Sequence, residues 1–458
     1  MAHLIRTDWP DFGMPEVPPE VTLAECRARL ASVRAAMLAR GQSALVVYGD
    51  REHAANLHWL TGFDPRFEEA VLVVTATQTL LLAGNECLPY TGVSPLVVAG
   101  DVRVGLCSSL SLPSQPRPGR RLADWMAEAV PAGAAVGMAG WKWFGAGEVD
   151  DPSSALSVPS FIVDPVRRLA ASVVDATDMF MHPGHGLRAR VDVADIARLE
   201  FANQQAAKAL TRMVFAFREG MTDFEAYREA GVGGLPMGCH STFATGARAE
   251  QGLSGPTGQV LRRGQAISFN ICHWGSNICR SARLASGPGD LPEPARGYLE
   301  VFAGPYVAAM SLWCGLMRPG VPGGEVWAAM QRALPFDTFG LFLNPGHLIG
   351  LDEWMSSPIY EGSSEPLASG MAMQMDVIPG HPVYGSCRME DGYVIADAEL
   401  RAQLVARFPD VAARCAQRAA FMRDVIGMDV PEGLLPLADT CGIVAPWLLD
   451  AGQVVALR

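Results

Sequence analysis

The chain has no Cys-x-x-Cys pair, no Gly-x-Gly-x-x-Gly after a strand signal, no basic stripe and no long uninterrupted apolar run. Each absence excludes something. The ten cysteines are Cys26, Cys87, Cys107, Cys239, Cys272, Cys279, Cys314, Cys387, Cys415 and Cys441, scattered through apolar stretches. They read as reduced core thiols of a cytoplasmic protein rather than as a disulfide framework. Without the glycine fingerprint a dinucleotide site has no support. With no basic stripe, and a formal net charge of −12 spread along the chain, nucleic acid is not an expected partner, and the acidity mainly favours solubility. Met1–Pro19 carries Asp8, Asp11 and several prolines but no apolar h-region, so it does not read as a signal peptide. No apolar run approaches the ~18–20 residues needed to span a bilayer, so no membrane partner is expected.

What is present is ample apolar material, 49% of 458 residues, enough for a sizeable core and two or three domains. Thr22-Leu-Ala-Glu25 is a capping box that opens a helix ending at Gly41. SALVVYGD, NLHWLTGF, AVLVVTA, TLLLAG, AAVGMAG and FIVD read as strands, with RLADWMAEAV as a helix among them. Residues 1–178 are therefore expected to form a mixed-sheet α/β domain. MHPGHGLRARVD reads as a linker. Beyond it, Ile196, Leu199, Ala206, Met213 and Phe217 fall on one helical face, and Thr222-Asp-Phe-Glu225 caps a second helix. Strands follow (MGCHSTFATG, AISFNICHW, NICRSARLA), then helices around Arg296–Met317 and Gly324–Leu334, then more strands. Two helices and strands, twice over, predict a duplicated α-α-β domain at 188–398, an α+β arrangement. A tail at 399–458 opens with a helix at Leu400–Ile426 and ends in an apolar, proline-broken segment expected to pack on the surface or on a partner subunit.

Three of the late strands carry one polar residue each: His347 in NPGHLIG, Asp376 in MQMDVIPG and Glu390 in CRMEDGYVI. One imidazole and two carboxylates suit a metal site or acid–base work. Upstream, SFNICHWGSNICR offers Asn270 and Asn277 where more carboxylates would be needed for two metals, and neutral amides bind hard or borderline dications poorly.

These segments resemble the pita-bread family of creatinase, aminopeptidase P, prolidase and methionine aminopeptidase. VDVADIARLEFA is similar to the opening helix of its catalytic domain, SFNICHWGSNICR to its first ligand strands, GHLIGLD to its histidine segment, GMAMQMDVIPG to its first Glu segment and RMEDGYVI to its second. NLHWLTGF resembles a segment of the N-terminal domain in two-domain members. The resemblance covers roughly 22–398 and implies the pita-bread fold. The family's metallopeptidase pattern of two Asp, one His and two Glu becomes Asn270, Asn277, His347, Asp376 and Glu390 here. Where family peptidases often carry His-Glu after the histidine segment, this chain has Trp354 and Met355. Creatinase resembles this chain in having Asn at the first Asp position and works without metal, but the place of its catalytic His is taken by Leu253.

The reading that follows is a hydrolase of a C–N bond in a small polar substrate, working without metal or other cofactor. Its acid–base groups are His347, Asp376, Glu390 and, as a further candidate, His240. Asn270, Asn277, His273 and Arg66 bind substrate, His273 only if a turn at Trp274-Gly275 swings it round. Arg66 lies in a polar segment that, by resemblance, reaches the partner subunit's site in a homodimer, and it suits a substrate carboxylate. The alternatives are a single-metal Xaa-Pro-type peptidase with the cation on His347, Asp376 and Glu390, a small-molecule lyase on the same fold, and a silent binding protein. Cys272 and Cys279 with His273 form a further, soft ligand set, against which buried thiols are commoner.

Overall fold

The computed structural model describes residues 2–117 and 119–457. The chain divides into two compact units, Glu20–Ala189 and Met1–Pro19 with Arg190–Arg458.

In the smaller unit six strands form one sheet in the order Arg103–Leu106, Thr79–Ala83, Ala70–Thr75, Ala44–Gly49, Ala135–Ala139, Ser172–Asp175. Ala44–Gly49 runs antiparallel to Ala70–Thr75 and parallel to Ala135–Ala139, so the sheet is mixed. Helix Leu23–Ala39 starts on the expected capping box, with both reciprocal bonds between Thr22 and Glu25 formed. Helices Leu122–Ala129 and Ser160–Arg167 lay Leu122, Met126, Ile162, Val163 and Val166 against Val46, Val71, Val73, Leu82 and Val136. Each such side chain contributes roughly 1.5–3 kcal/mol on burial.

Two expected strands are helices. NLHWLTGF contains helix Ala55–Thr61, which buries Asn56, Leu57, Leu60 and Thr61 and stops at Gly62, φ 71°. FIVD lies in helix Ser160–Arg167. Both segments are short and apolar, with buried positions at i, i+1 and i+4, a pattern that a strand and a buried helix share until a C-cap glycine or a preceding proline decides.

The larger unit holds two four-stranded sheets and a two-stranded ribbon. One sheet has the order Arg388–Glu390, Ser276–Arg283, Ala266–His273, Phe243–Thr245; the other His347–Leu348, Ala372–Gln374, Gly392–Ile395, Leu434–Pro436. The helix pair Val193–Ala216 and Asp223–Glu229 precedes the first sheet, and Gly304–Leu316 and Gly323–Ala333 precede the second, which is the duplicated order. A single segment, Arg388 to Ile395, leaves one sheet at Glu390 and enters the other at Gly392.

The tail is not a surface strap. Phe408-Pro409 breaks its helix into Ala398–Arg407 and Pro409–Phe421. Leu434–Pro436 then pairs with Gly392–Ile395, and Gln453–Ala456 pairs with His3–Arg6. Leu437, Ala438, Cys441, Ile443 and Trp447 are buried. Burying that much apolar surface inside the unit outweighs what a solvent-facing strap could gain. The stretch Glu293–Leu316 also differs from expectation: it is long and apolar enough to cross a membrane, yet 56% of its apolar window is buried inside the protein, as in a core helix.

Candidate active site

The site forms where the two sheets of the larger unit meet. Ala266–His273 and Ser276–Arg283 make a hairpin whose two-residue turn, Trp274-Gly275, has Gly275 at φ 87°, a conformation glycine takes at no steric cost. In this register Asn277 faces Cys272, Cys279 faces Asn270, and Glu390 on the next strand faces Cys279. Side chains alternate along a strand, so Asn270, Cys272, Asn277, Cys279 and Glu390 share one face.

The two amides form an oriented chain. The Thr242 backbone N–H donates to Asn270 Oδ1 at 2.7 Å, which turns Asn270 Nδ2 outward. That NH2 donates to Asn277 Oδ1 at 3.1 Å, and Asn277 Nδ2 donates in turn to Glu353 Oε1 at 2.9 Å and Glu390 Oε1 at 3.1 Å. A backbone donor thus fixes which way both amides point. Each bond to a charged carboxylate contributes about 1.5–3 kcal/mol.

His347 arrives from the other sheet, opposite Gln374. Its Nδ1 lies 3.1 Å from the Leu348 carbonyl. A carbonyl only accepts, so Nδ1 carries a hydrogen, and in the neutral ring Nε2 is the nitrogen with the lone pair. Nε2 is buried and makes no hydrogen bond. Asp376 Oδ2 lies 3.8 Å from it. Asp376 Oδ1 accepts from Arg388 Nη2 at 2.9 Å, and the same nitrogen donates to Glu390 Oε2. Behind these groups the buried Tyr306 hydroxyl accepts from the Met389 N–H at 2.9 Å and lies 3.1 Å from the Val377 carbonyl, so one side chain ties both carboxylate-bearing segments in place.

One potential ligand atom each from His347, Glu353 and Glu390 lies within 4.8 Å of the others. Glu353 sits on the turn after His347 and escaped the sequence reading, which looked one and two positions further on, at Trp354 and Met355. The only hint was the acidic pair Asp352-Glu353 directly after GHLIGL. Trp354 instead stacks on His347, centroids 5.2 Å apart, and is 43% exposed.

The electrostatics are lopsided. Glu353, Asp376 and Glu390 oppose a single guanidinium, Arg388, so the acidic groups outnumber it by two. Burial pushes the Glu390 carboxyl well above the usual range, and its two carboxylate neighbours push the same way against Arg388.

The other expected site residues lie elsewhere. His240 is exposed, with Nε2 3.2 Å from the Leu253 carbonyl, and among the described residues no hydrogen bond or ion pair joins it to His347, Asp376 or Glu390. The tight turn keeps His273 in its strand, facing away from Asn270; it is buried, and burial lowers its pKa. Asn270 and Asn277 are buried, with their amides committed to each other and to the carboxylates rather than to solvent. Arg66, in the smaller unit, has φ 53°, donates to the Tyr90 hydroxyl and packs over that ring at 4.4 Å. Contact with Cys239 and burial hold Cys272 protonated, and burial does so for Cys279. His273 also faces the opposite side of the sheet from both thiols, so the three do not converge on one point.

No protein-family model matches the sequence, and no curated protein does. Solved structures do match. A prolidase from Pyrococcus horikoshii OT3 superposes with TM-score 0.62 at 14% identity, over 81% of this chain and 95% of that one. An Xaa-Pro dipeptidase from Bacillus anthracis gives 0.60 at 13% identity, over 82% and 96%. A variant of Escherichia coli aminopeptidase P gives 0.56 at 16% identity, over 86% and 100%. The fold is the pita-bread fold. An N-terminal α/β domain precedes the pita-bread catalytic domain, as the resemblance implied. At these identities the likeness carries the fold alone.

The expectation of a site without metal is corrected. The pattern that the resemblance brings is a metal-binding one, and this site fits a cation on its own terms. It has an unpartnered buried imidazole nitrogen, two carboxylates converging on it, and acidic groups that outnumber the one guanidinium by two. Imidazole nitrogen and carboxylate oxygen are both zinc ligands, and three protein ligands with an open fourth position make a catalytic site. Two cations do not fit equally well, because Asn270 and Asn277 point N–H groups where lone pairs would be required.

Proposed function

We propose that the protein is a hydrolase of amide bonds in small, dipeptide-sized substrates of the Xaa-Pro type, using one divalent cation held by His347, Glu353 and Glu390. The observation that carries this reading is His347 Nε2, buried without a hydrogen bond and facing two carboxylates. The structures of similar fold are a prolidase, an Xaa-Pro dipeptidase and an aminopeptidase P, which supports the substrate class.

A cation held by His347, Glu353 and Glu390 would supply an acidified water and a Lewis acid for a carbonyl. The rest falls to the chain. Asp376 has Oδ1 fixed on Arg388, so Oδ2, aimed at His347, is the oxygen free to take up a proton at the centre of the site. Asn277 holds Glu353 and Glu390 together by donating to one oxygen of each. Trp354 offers an apolar ring at the rim, a wall suited to a proline-like ring. With Leu253 in place of a proton-shuttling histidine, protonation of the leaving amine falls to Asp376 or water. The ten free thiols support a reducing compartment, the cytoplasm. A homodimer, with Arg66 contributing to the partner's site, belongs to the same proposal, and light scattering measures it.

The test is a panel of Xaa-Pro dipeptides offered to metal-stripped protein with and without added Zn²⁺, Mn²⁺ or Co²⁺. Hydrolysis restored by metal and stopped by chelator is expected. No turnover with any of these ions, or turnover indifferent to chelator, would refute it.

A further inference from the structure

Resting on the one-cation reading, we propose that Arg388 and Asn277 occupy the carboxylate edges at which a second dication would bind, so that the site takes one divalent cation and no more. Arg388 Nη2 alone serves both Asp376 Oδ1 and Glu390 Oε2. The guanidinium is a permanent cation, so it delivers its charge at any pH at which the protein is folded. Its side chain is only 15% exposed, its strand is fixed from behind by Tyr306, and its Nε is buried without a hydrogen bond. Asn277 closes the opposite edge: its NH2 donates to the Oε1 atoms of Glu353 and Glu390, and the Asn270–Thr242 chain prevents that amide from flipping. Glu390 therefore has one lone pair of Oε2 committed to Arg388 and one of Oε1 to Asn277; the lone pairs that remain can serve one cation but not bridge two.

The charge count agrees. With all three carboxyls ionised, as a bound dication requires of its ligands, three carboxylates less one guanidinium leave two negative charges, which one dication neutralises. A second dication would leave the same groups two positive charges in excess in a buried site, which is strongly unfavourable. Arg388 is thus a positioning residue: it touches neither cation nor substrate, and it sets the capacity of the site through the two carboxylates it holds.

The experiment is calorimetric titration of metal-stripped protein with Mn²⁺, with bound manganese counted after desalting. The wild type is expected to take one equivalent. The Asn270→Asp/Asn277→Asp protein is expected to take one still: its charge alone would now admit two, but Arg388 keeps Asp376 Oδ1 and Glu390 Oε2 from bridging a second cation. Adding Arg388→Gln to that pair is expected to raise the count to two. Should Arg388→Gln prevent folding, Arg388→Met in the same background carries the same expectation. Two equivalents in the double variant would show that the amides alone set the limit, and one equivalent in a folded triple variant would remove Arg388 from the account; either overturns the proposal. Two equivalents in the wild type overturn it too while leaving a metal-dependent hydrolase standing. A wild type that binds no Mn²⁺, indistinguishable from His347→Ala, defeats the hydrolase reading itself.

Discussion

Glu200 and Asp439 are buried carboxylates of the larger unit, as Asp376 and Glu390 are, but their surroundings differ. Arg414 makes a two-pronged pair with Glu200 at 2.7 and 2.8 Å. Arg418 lies 2.8 Å from both Glu200 and Asp439, and Gln204 and Lys208 complete the Asp439 side. Two acids meet two guanidinium groups and an ammonium, so no negative charge is left over. At the candidate site three acids meet one guanidinium, and an imidazole nitrogen goes unpartnered. A closed cluster holds the fold together; an open one has charge left for something from outside. The comparison separates structural from functional burial without reference to any relative, because an uncompensated buried charge is costly unless a ligand completes it.

The sharpest way to break this comparison is to remove one partner from each cluster. Arg418→Ala takes the shared guanidinium from both acids, leaving Glu200 to Arg414 and Asp439 to Gln204 and Lys208, and is expected to cost about 3–5 kcal/mol in chemical denaturation, the largest effect. His347→Ala removes a ligand and no charge. Its cation affinity is expected to fall at least about 100-fold by calorimetry, beyond the losses typical of outer-shell changes, with dipeptide hydrolysis lost and stability little changed. Glu390→Gln removes one of the excess charges; the metal-free protein is expected to hold its stability within about 1 kcal/mol or to gain, while cation binding weakens. If Glu390→Gln destabilised as Arg418→Ala does, the two clusters would not differ in kind.

The smallest effect lies in the smaller unit. Burial raises the Asp175 carboxyl to about 6, against bonds from Thr177 that lower it. The folded state then holds a proton that the unfolded state has released, so this group's contribution to stability falls as pH rises from about 4 to about 6 and stays lost above that. Asp175→Asn is expected to flatten that slope, by about 1 kcal/mol once partial exposure is discounted, as read from melting temperatures across that pH range.

How far the sequence discloses the site depends on the kind of element. Asn270, Asn277 and Glu390 are legible because strand alternation and a two-residue turn fix which face they share. Glu353 is not, because it lies on a turn, where no periodicity points anywhere. Asp376 is legible as a site residue, but its role changes once Arg388 is seen to claim one oxygen, and RME does not announce that its first residue bridges back to Asp376. Pairing between His3–Arg6 and Gln453–Ala456 is invisible to local pattern, since it joins opposite ends of the chain. Helix Ala55–Thr61 looks like a strand in the sequence because seven apolar-rich residues are too few to separate the two periods.

The most direct measurement is Mn²⁺ titration of the metal-stripped protein beside its His347→Ala variant. One binding event that disappears on loss of the imidazole, accompanied by a rise in melting temperature only in the wild type, is the expected result, since a ligand that binds only the folded state stabilises it. No binding, or binding that survives His347→Ala, would contradict a cation site on His347, Glu353 and Glu390.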